Sequence, residues 1–237
     1  MEDMHMHLKK GVTDISIMQN YVEKCKEMKL NRVLFLDHGN RMSPKHTPVL
    51  NETKVIDKFF ENIKIVKENN PDIEINAGIE SDFSYDEEFK EKEIKILKSY
   101  PFDYIIGSVH GMEKANYIDY LQANIDMIKT YPINIVGHLK LRKEYEQYKE
   151  KIEEIVKLAI QLKANEIIFS FMEAVGRLEG DETIISKRAI ESVKKEIGDT
   201  IECSLLENEF FGSRDRCYYY RCEPCSVCRS SDHYYCK

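Results

Sequence analysis

The chain has 237 residues, enough to bury one large core, with 42% hydrophobic residues, 32% charged residues and a formal net charge of −7. That acidic balance, without a long basic face, argues against a nucleic-acid backbone as the main partner. No run of 18 apolar residues is present, nor an apolar stretch behind a basic N-terminus, so the expectation is a cytoplasmic protein with no membrane span and no signal peptide.

In chain order, a strand-then-helix unit recurs about every 30 residues, the length of a βα unit. The first strand is predicted at 2–6, followed by a helix at 15–29 with Ile15, Met18, Val22, Cys25 and Met28 on one stripe. A second strand at 32–36 leads into a loop in which Pro44 and Pro48 preclude regular structure. A helix at 52–69 carries Val55, Phe59, Ile63 and Val66 and ends ahead of Pro71. The third strand is read at 73–79, then an acidic helix at 86–99 with Phe89, Ile94, Ile96 and Leu97 inward, and a fourth strand at 103–109. A helix at 117–130, a strand at 133–137, an amphipathic helix at 144–163 and a strand at 165–171 follow. A helix at 184–197 leads into a seventh strand, Asp199 to Leu205.

This alternation implies a parallel sheet, and seven repeats suit a closed or nearly closed barrel better than an open one. The alternative, a doubly wound sheet, would want a glycine-rich phosphate loop after its first strand, and none is present.

The seven histidines are His5, His7, His38, His46, His110, His138 and His233. His5 and His7 stand two apart, so in a strand both imidazoles share a face and can reach one metal ion. Taken alone, the pair is equally an incidental polar tail. The remaining placements tip the balance. Val33-Leu34-Phe35-Leu36 runs into Asp37-His38, Ile73 to Ile79 into Glu80, Tyr104 to Val109 into His110, and Ile133 to Gly137 into His138. Five histidines and a glutamate thus fall at the ends of five successive strands, and in a parallel sheet they converge on one rim. That pattern predicts a metal site.

Asp3-Met4-His5-Met6-His7, Asp37-His38, Gly78-Ile79-Glu80, Gly107-Ser108-Val109-His110 and Gly137-His138 occur in the order and spacing of the PHP family, which unites polymerase-associated domains and histidinol phosphatases. Over residues 2–195 the chain most resembles the histidinol-phosphatase branch. The resemblance implies a distorted seven-stranded (β/α)7 barrel related to the TIM barrel, two or three divalent metal ions at its C-terminal rim, and hydrolysis of phosphate esters. Imidazoles and carboxylates independently suit Zn²⁺, Mn²⁺ or Fe²⁺. The expected ligands are His5 and His7 for one ion, Glu80 as the bridging carboxylate, His110 for a second ion, and His38 and His138 for a shared or third position. Asp3 and Asp37 flank ligands and are expected to orient them, unless they are plain surface carboxylates. Arg142 and Arg177 stand where that branch carries arginines and are expected to clamp the phosphate, a solvated arginine being the alternative. His46 is either a substrate contact or an exposed loop residue.

Two features depart from the family. Leu8-Lys9-Lys10-Gly11-Val12-Thr13-Asp14 stands where many members carry a further ligand, leaving Asp14 as the candidate. The D-x-H expected after the seventh strand is missing, with Glu207 and Glu209, Asp215, or Asp232 and His233 as substitutes.

Composition changes near residue 212, which divides the chain into a catalytic unit at 1–211 and a Cys/Tyr-rich tail at 212–237. Cys222-Glu223-Pro224-Cys225-Ser226-Val227-Cys228 has the spacing to join Cys217, His233 or Cys236 in a zinc knuckle, or less well an iron–sulfur site; the other reading is a tail that binds nothing. The expected activity is a metal-dependent phosphatase for a small phosphorylated substrate, foremost L-histidinol phosphate. The alternatives are a nucleotide or phosphotyrosine substrate, or a catalytically impaired binding domain. The oligomeric state is not legible.

Overall fold

The computed structural model describes residues 2–40, 50–110, 112, 116–140, 147–162, 166–170 and 202–206, with backbone alone for 2–5, 9–10, 138, 140, 166–170 and 202–206. The strands are β1 (Glu2–His7), β2 (Arg32–Leu36), β3 (Glu74–Asp82), β4 (Tyr104–Ser108), β5 (Ile135–Lys140), β6 (Glu166–Ser170) and β7 (Glu202–Leu206). The helices are α1 (Ile15–Glu27), α2 (Thr53–Asn69), α3 (Glu87–Ser99), α4 (Tyr117–Thr130) and α5 (Lys149–Gln161), with a 3-10 turn at Lys9–Thr13. The helix expected at 184–197 and the cysteine-rich tail lie outside the described residues.

Each strand pairs in parallel with its successor, giving one sheet in the order β1 to β7. A doubly wound sheet reverses direction part-way, so this order rules it out. Among the described residues no pairing joins β7 to β1.

Two hydrophobic clusters lie on opposite faces of the sheet. The larger one collects helix residues such as Met18, Val22, Phe59, Ile63, Leu121 and Ile155 against Val33, Phe35, Ile75, Ile79 and Val136. The smaller one contains only strand residues, Leu34, Leu36, Ile106 and Ile135, with Tyr104 packed against them. Adjacent strand residues point to opposite faces, which is why Val33 and Phe35 meet helices while Leu34 and Leu36 meet other strands. Fully burying each of these side chains contributes about 1.5–3 kcal/mol. The inner face is tight: a Cβ on Gly78 would come 2.9 Å from Leu34 Cδ1 and 3.0 Å from the Tyr104 carbonyl oxygen.

The helix stripes are largely those expected. Met18, Val22 and Cys25 are buried on α1, and Ile56, Phe59, Ile63 and Val66 on α2. Asp14 begins α1, its side chain accepting from the Ser16 backbone N–H at 2.9 Å and the Ser16 hydroxyl at 2.6 Å. Asp86 caps α3 by accepting from Phe89 N–H at 2.8 Å, ahead of Glu87 and Glu88, which favour the positive end of the helix dipole. Two strand ends and one helix face that bear on the site differ from expectation. β3 continues through Asp82 rather than stopping at Ile79, so Glu80 lies inside the strand, with Ser81 and Asp82 pairing Gly107 and Ser108. β5 runs Ile135–Lys140, three residues beyond the expected end, which brings His138 into the strand. β7 is described over Glu202–Leu206; residues 199–201 of its expected span lie outside the described residues. On α3 the buried residues are Glu93 and Leu97, not an all-apolar stripe.

Candidate metal centre

The alternation that builds the inner core also builds the site. On β2, Leu34 and Leu36 are followed two residues later by His38. On β3, Gly78 is followed by Glu80 and Asp82; after β4, Ser108 is followed by His110. These polar residues therefore continue the inner face beyond its hydrophobic floor, at the C-terminal end of the strands. His38 is held level with Glu80 by a parallel bridge, and its neighbour Gly39 donates its N–H to the Glu80 carbonyl at 2.9 Å.

Glu80 is fully buried and faces three imidazoles. Its Oε2 lies 3.0 Å from His7 Nε2 and 3.3 Å from His38 Nδ1, and its Oε1 lies 3.5 Å from His110 Nε2. The His7 and His38 rings are 4.4 Å apart between centroids, and those of His38 and His110 5.7 Å. Asp37, also buried, accepts from the His38 backbone N–H at 2.8 Å and stands 3.6 Å from His7 Nδ1. Asp82 Oδ1 is 2.7 Å from His110 Nδ1. With the proton on Nδ1 shared with that carboxylate, His110 keeps its Nε2 lone pair toward Glu80.

Burial opposes a charge on His7, but the carboxylates of Asp37 and Glu80 more than offset it and raise the imidazole to about 9. A short distance away, burial pushes the Glu93 carboxyl above the usual carboxylate range. Hydrogen bonds from Asn40 and Ser81 oppose that rise, and the nearby Asp82 charge adds to it.

The donor set fits a divalent ion. Ligand atoms of His7, His38 and Glu80 all lie within 4.8 Å of one another. A tetrahedral ion about 2.0–2.2 Å from each donor would set its ligands roughly 3.4 Å apart, close to the 3.0 and 3.3 Å observed from Glu80 to the two imidazoles. Two neutral nitrogens and one carboxylate are the mixture that borderline metals prefer.

Of the residues singled out from sequence, His7, His38, Glu80 and His110 come together, with Asp37 beside them. His5 and His138 lie on β1 and β5, but their side chains, like that of Asp3, are outside the described residues. Arg142, Arg177, His46, Glu207, Glu209, Asp215, Asp232 and His233 lie outside them altogether. Asp14 is exposed and engaged as the cap of α1, which removes it as a substitute ligand. Asp82 was not foreseen. The every-second-residue series Gly78, Glu80, Asp82 was its available signal, hidden by ending the strand too early.

The sequence matches the PHP domain family over residues 3–168. The chain belongs to the PHP family. No curated protein matches it. Its fold is similar to that of a chain from Listeria monocytogenes proposed to be a histidinol phosphatase, with a TM-score of 0.54 and 14% identity, covering 86% of this chain and 93% of that one. At that identity the likeness speaks for the fold alone. A chain from Mesorhizobium loti proposed to be a dehydratase is more distant, with a TM-score of 0.43 and 14% identity over 88% of this PHP chain and 48% of the other. That second likeness carries no argument.

Proposed function

We propose that this PHP protein is a metal-dependent phosphatase for a small phosphate monoester, with L-histidinol phosphate the leading substrate. The observation that carries the reading is Glu80, a fully buried carboxylate facing imidazoles that follow or belong to three other strands of a parallel sheet. His7, His38 and Glu80 would hold one ion and His110 a second, with Glu80 the carboxylate shared between them and His5 and His138 the further ligands proposed. Divalent ions bound there supply Lewis-acid activation of a phosphoryl oxygen and a bound water of lowered pKa. The chain's own part is to hold the ligands. Glu80 would supply the negative charge that offsets repulsion between neighbouring cations, Asp82 holds the His110 ring, and Asp37 holds the backbone of His38 and stands beside His7. Arg142 and Arg177 are the proposed phosphate clamp. The all-strand cluster of Leu34, Leu36, Ile106 and Ile135 favours a sheet curled on itself into a distorted seven-stranded barrel.

A second reading is a catalytically impaired PHP domain that binds a ligand without turning it over. The absence of D-x-H after β7 favours it. Metal content by mass spectrometry, with turnover of an aryl phosphate, L-histidinol phosphate, a nucleoside monophosphate and phosphotyrosine, separates the readings. Metal with rapid turnover of L-histidinol phosphate supports the first, metal without turnover the second, and a metal-free, inactive protein defeats both.

A further inference from the structure

Among the described residues, Glu93 is the buried carboxylate that the centre does not use directly. It stands on α3 in the stripe of Phe89 and Leu97 and is 0% exposed. An acid at such a position is costly unless its oxygens are satisfied. Both are. Oε2 accepts from Asn40 Nδ2 at 2.6 Å and, at a longer 3.4 Å, from the Asn40 backbone N–H; Oε1 accepts from Ser81 Oγ at 2.8 Å. Asn40 is two residues past His38, and Ser81 is next to Glu80. A single side chain thus ties the segment leaving β2 to the rim of β3, from the helix side of the sheet, directly behind two of the proposed ligands.

The backbone is shaped around this contact. A Cβ on Gly39 would come 2.5 Å from Glu93 Oε1 and 3.2 Å from Ile79 Cδ1, so only glycine lets the carboxylate approach. The same segment is pinned by Leu50 N–H to the His38 carbonyl at 2.8 Å and by Glu80 N–H to the Asp37 carbonyl at 3.0 Å. Those bonds fix the height of His38 on the sheet. The Glu93 clamp adds the lateral constraint, because it grips the side chain of Asn40 as well as its backbone.

We propose that Glu93 is a positioning residue of the metal centre, clamping Asn40 to Ser81 so that His38 is held in register with Glu80. The proposal rests on the metal-site reading above. It predicts that geometry matters and charge does not, since a glutamine amide repeats the clamp: its oxygen accepts from Asn40, and its NH₂ donates to the Ser81 hydroxyl, which can accept as well as donate.

The test is cobalt(II) titration, followed by absorption, of full-length wild type, Glu93→Gln, Glu93→Ala, Asn40→Ala and, as a control on exposed α3 surface, Glu91→Ala. Glu93→Gln and Glu91→Ala should bind within about threefold of wild type, while Glu93→Ala and Asn40→Ala should weaken binding 10–100-fold and alter the cobalt spectrum. Melting of the metal-free forms reports folding separately, and Asn40→Ala carries the test should Glu93→Ala fail to fold. A folded Glu93→Ala or Asn40→Ala with wild-type affinity and spectrum, differing only in melting temperature, would overturn the proposal. So would a Glu93→Gln as weak as Glu93→Ala, because charge would then be the active property. If wild type itself takes up no cobalt, the metal reading has failed, and imidazole ¹⁵N shifts in the metal-free protein decide alone. His38 resonances that move in Glu93→Ala but not in Glu93→Gln sustain the clamp, and unmoved resonances refute it.

Discussion

Asp82 Oδ1 lies 2.7 Å from His110 Nδ1, and Asp82 stands two residues beyond Glu80 on the same face of β3. One strand therefore presents a carboxylate to the proposed ions and a second carboxylate to one of their imidazole ligands. Losing such a support typically lowers metal affinity 10–100-fold. Asp82→Asn should show that loss in a metal titration, with the fold intact by circular dichroism. Unchanged affinity would leave the pair without a role in ligand orientation.

Glu80→Gln keeps the volume and one carbonyl oxygen and removes the charge. Metal content should drop by at least one ion, and phosphatase turnover should fall on the order of 10²-fold or more. Glu74 serves as the control. It lies at the other end of β3, exposed, with Arg32 Nε 3.1 Å from its Oε2. Glu74→Gln should alter neither metal content nor rate. Full activity in Glu80→Gln would refute the bridging role.

The raised His7 imidazole gives the metal-free protein a pH signature. Its folded value of about 9 exceeds the ordinary 6.5, so its contribution to stability is complete below about pH 6.5 and is lost as pH climbs through 9. The span corresponds to an upper bound on the order of 3 kcal/mol. Metal-free protein should melt progressively lower across that window, and His7→Gln should flatten the trend. Because metal ligation needs the neutral ring, binding near pH 7 should also release a proton, measurable by calorimetry in buffers of different ionisation enthalpy.

Lys29, exposed at the end of α1, has φ 59°, in the left-handed region that a side chain disfavours. It sits between the Lys29-to-Lys26 and Leu30-to-Cys25 backbone hydrogen bonds that close the helix, each 2.9 Å long. Lys29→Gly should raise stability by about 0.5–1 kcal/mol, relief of strain exceeding the added freedom of the unfolded chain. Denaturant unfolding decides it, and a loss of stability would show that the lysine side chain matters there.

Removal of residues 212–237 should leave a protein that melts cooperatively and keeps its metal content, if 1–211 is the catalytic unit. An insoluble or non-cooperative truncation would show that the boundary is misplaced.

What the sequence disclosed was whatever local pattern controls. His38 and His110 were legible because each follows an apolar run that had to be a buried parallel strand. Asp82 was not, because Ser81-Asp82 reads as the polar start of a loop; only pairing with Gly107 and Ser108 keeps β3 extended that far. Glu93 was lost for a related reason. Among Glu87, Glu88 and Glu91 it looks like one more solvated acid, and its i, i+4 spacing from Phe89 and Leu97 was the faint sign of burial. Asp14, weighed as a ligand, precedes an apolar stripe with Ser16 two residues on, which is the signature of a helix cap.

The strict neighbour-to-neighbour pairing of the sheet bears on how the protein is made. His7, His38, Glu80, Asp82 and His110 all fall in the first 110 of 237 residues, and the pairings that bring their strands together are β1 with β2, β2 with β3 and β3 with β4. A growing polypeptide can therefore assemble this cluster while β5 to β7 are still untranslated. An ion captured at that stage would serve as a nucleation point for the remaining βα units, not as a late guest in a finished pocket. The yield of native protein would then depend on metal supply during translation, and metal added after refolding would not fully restore it.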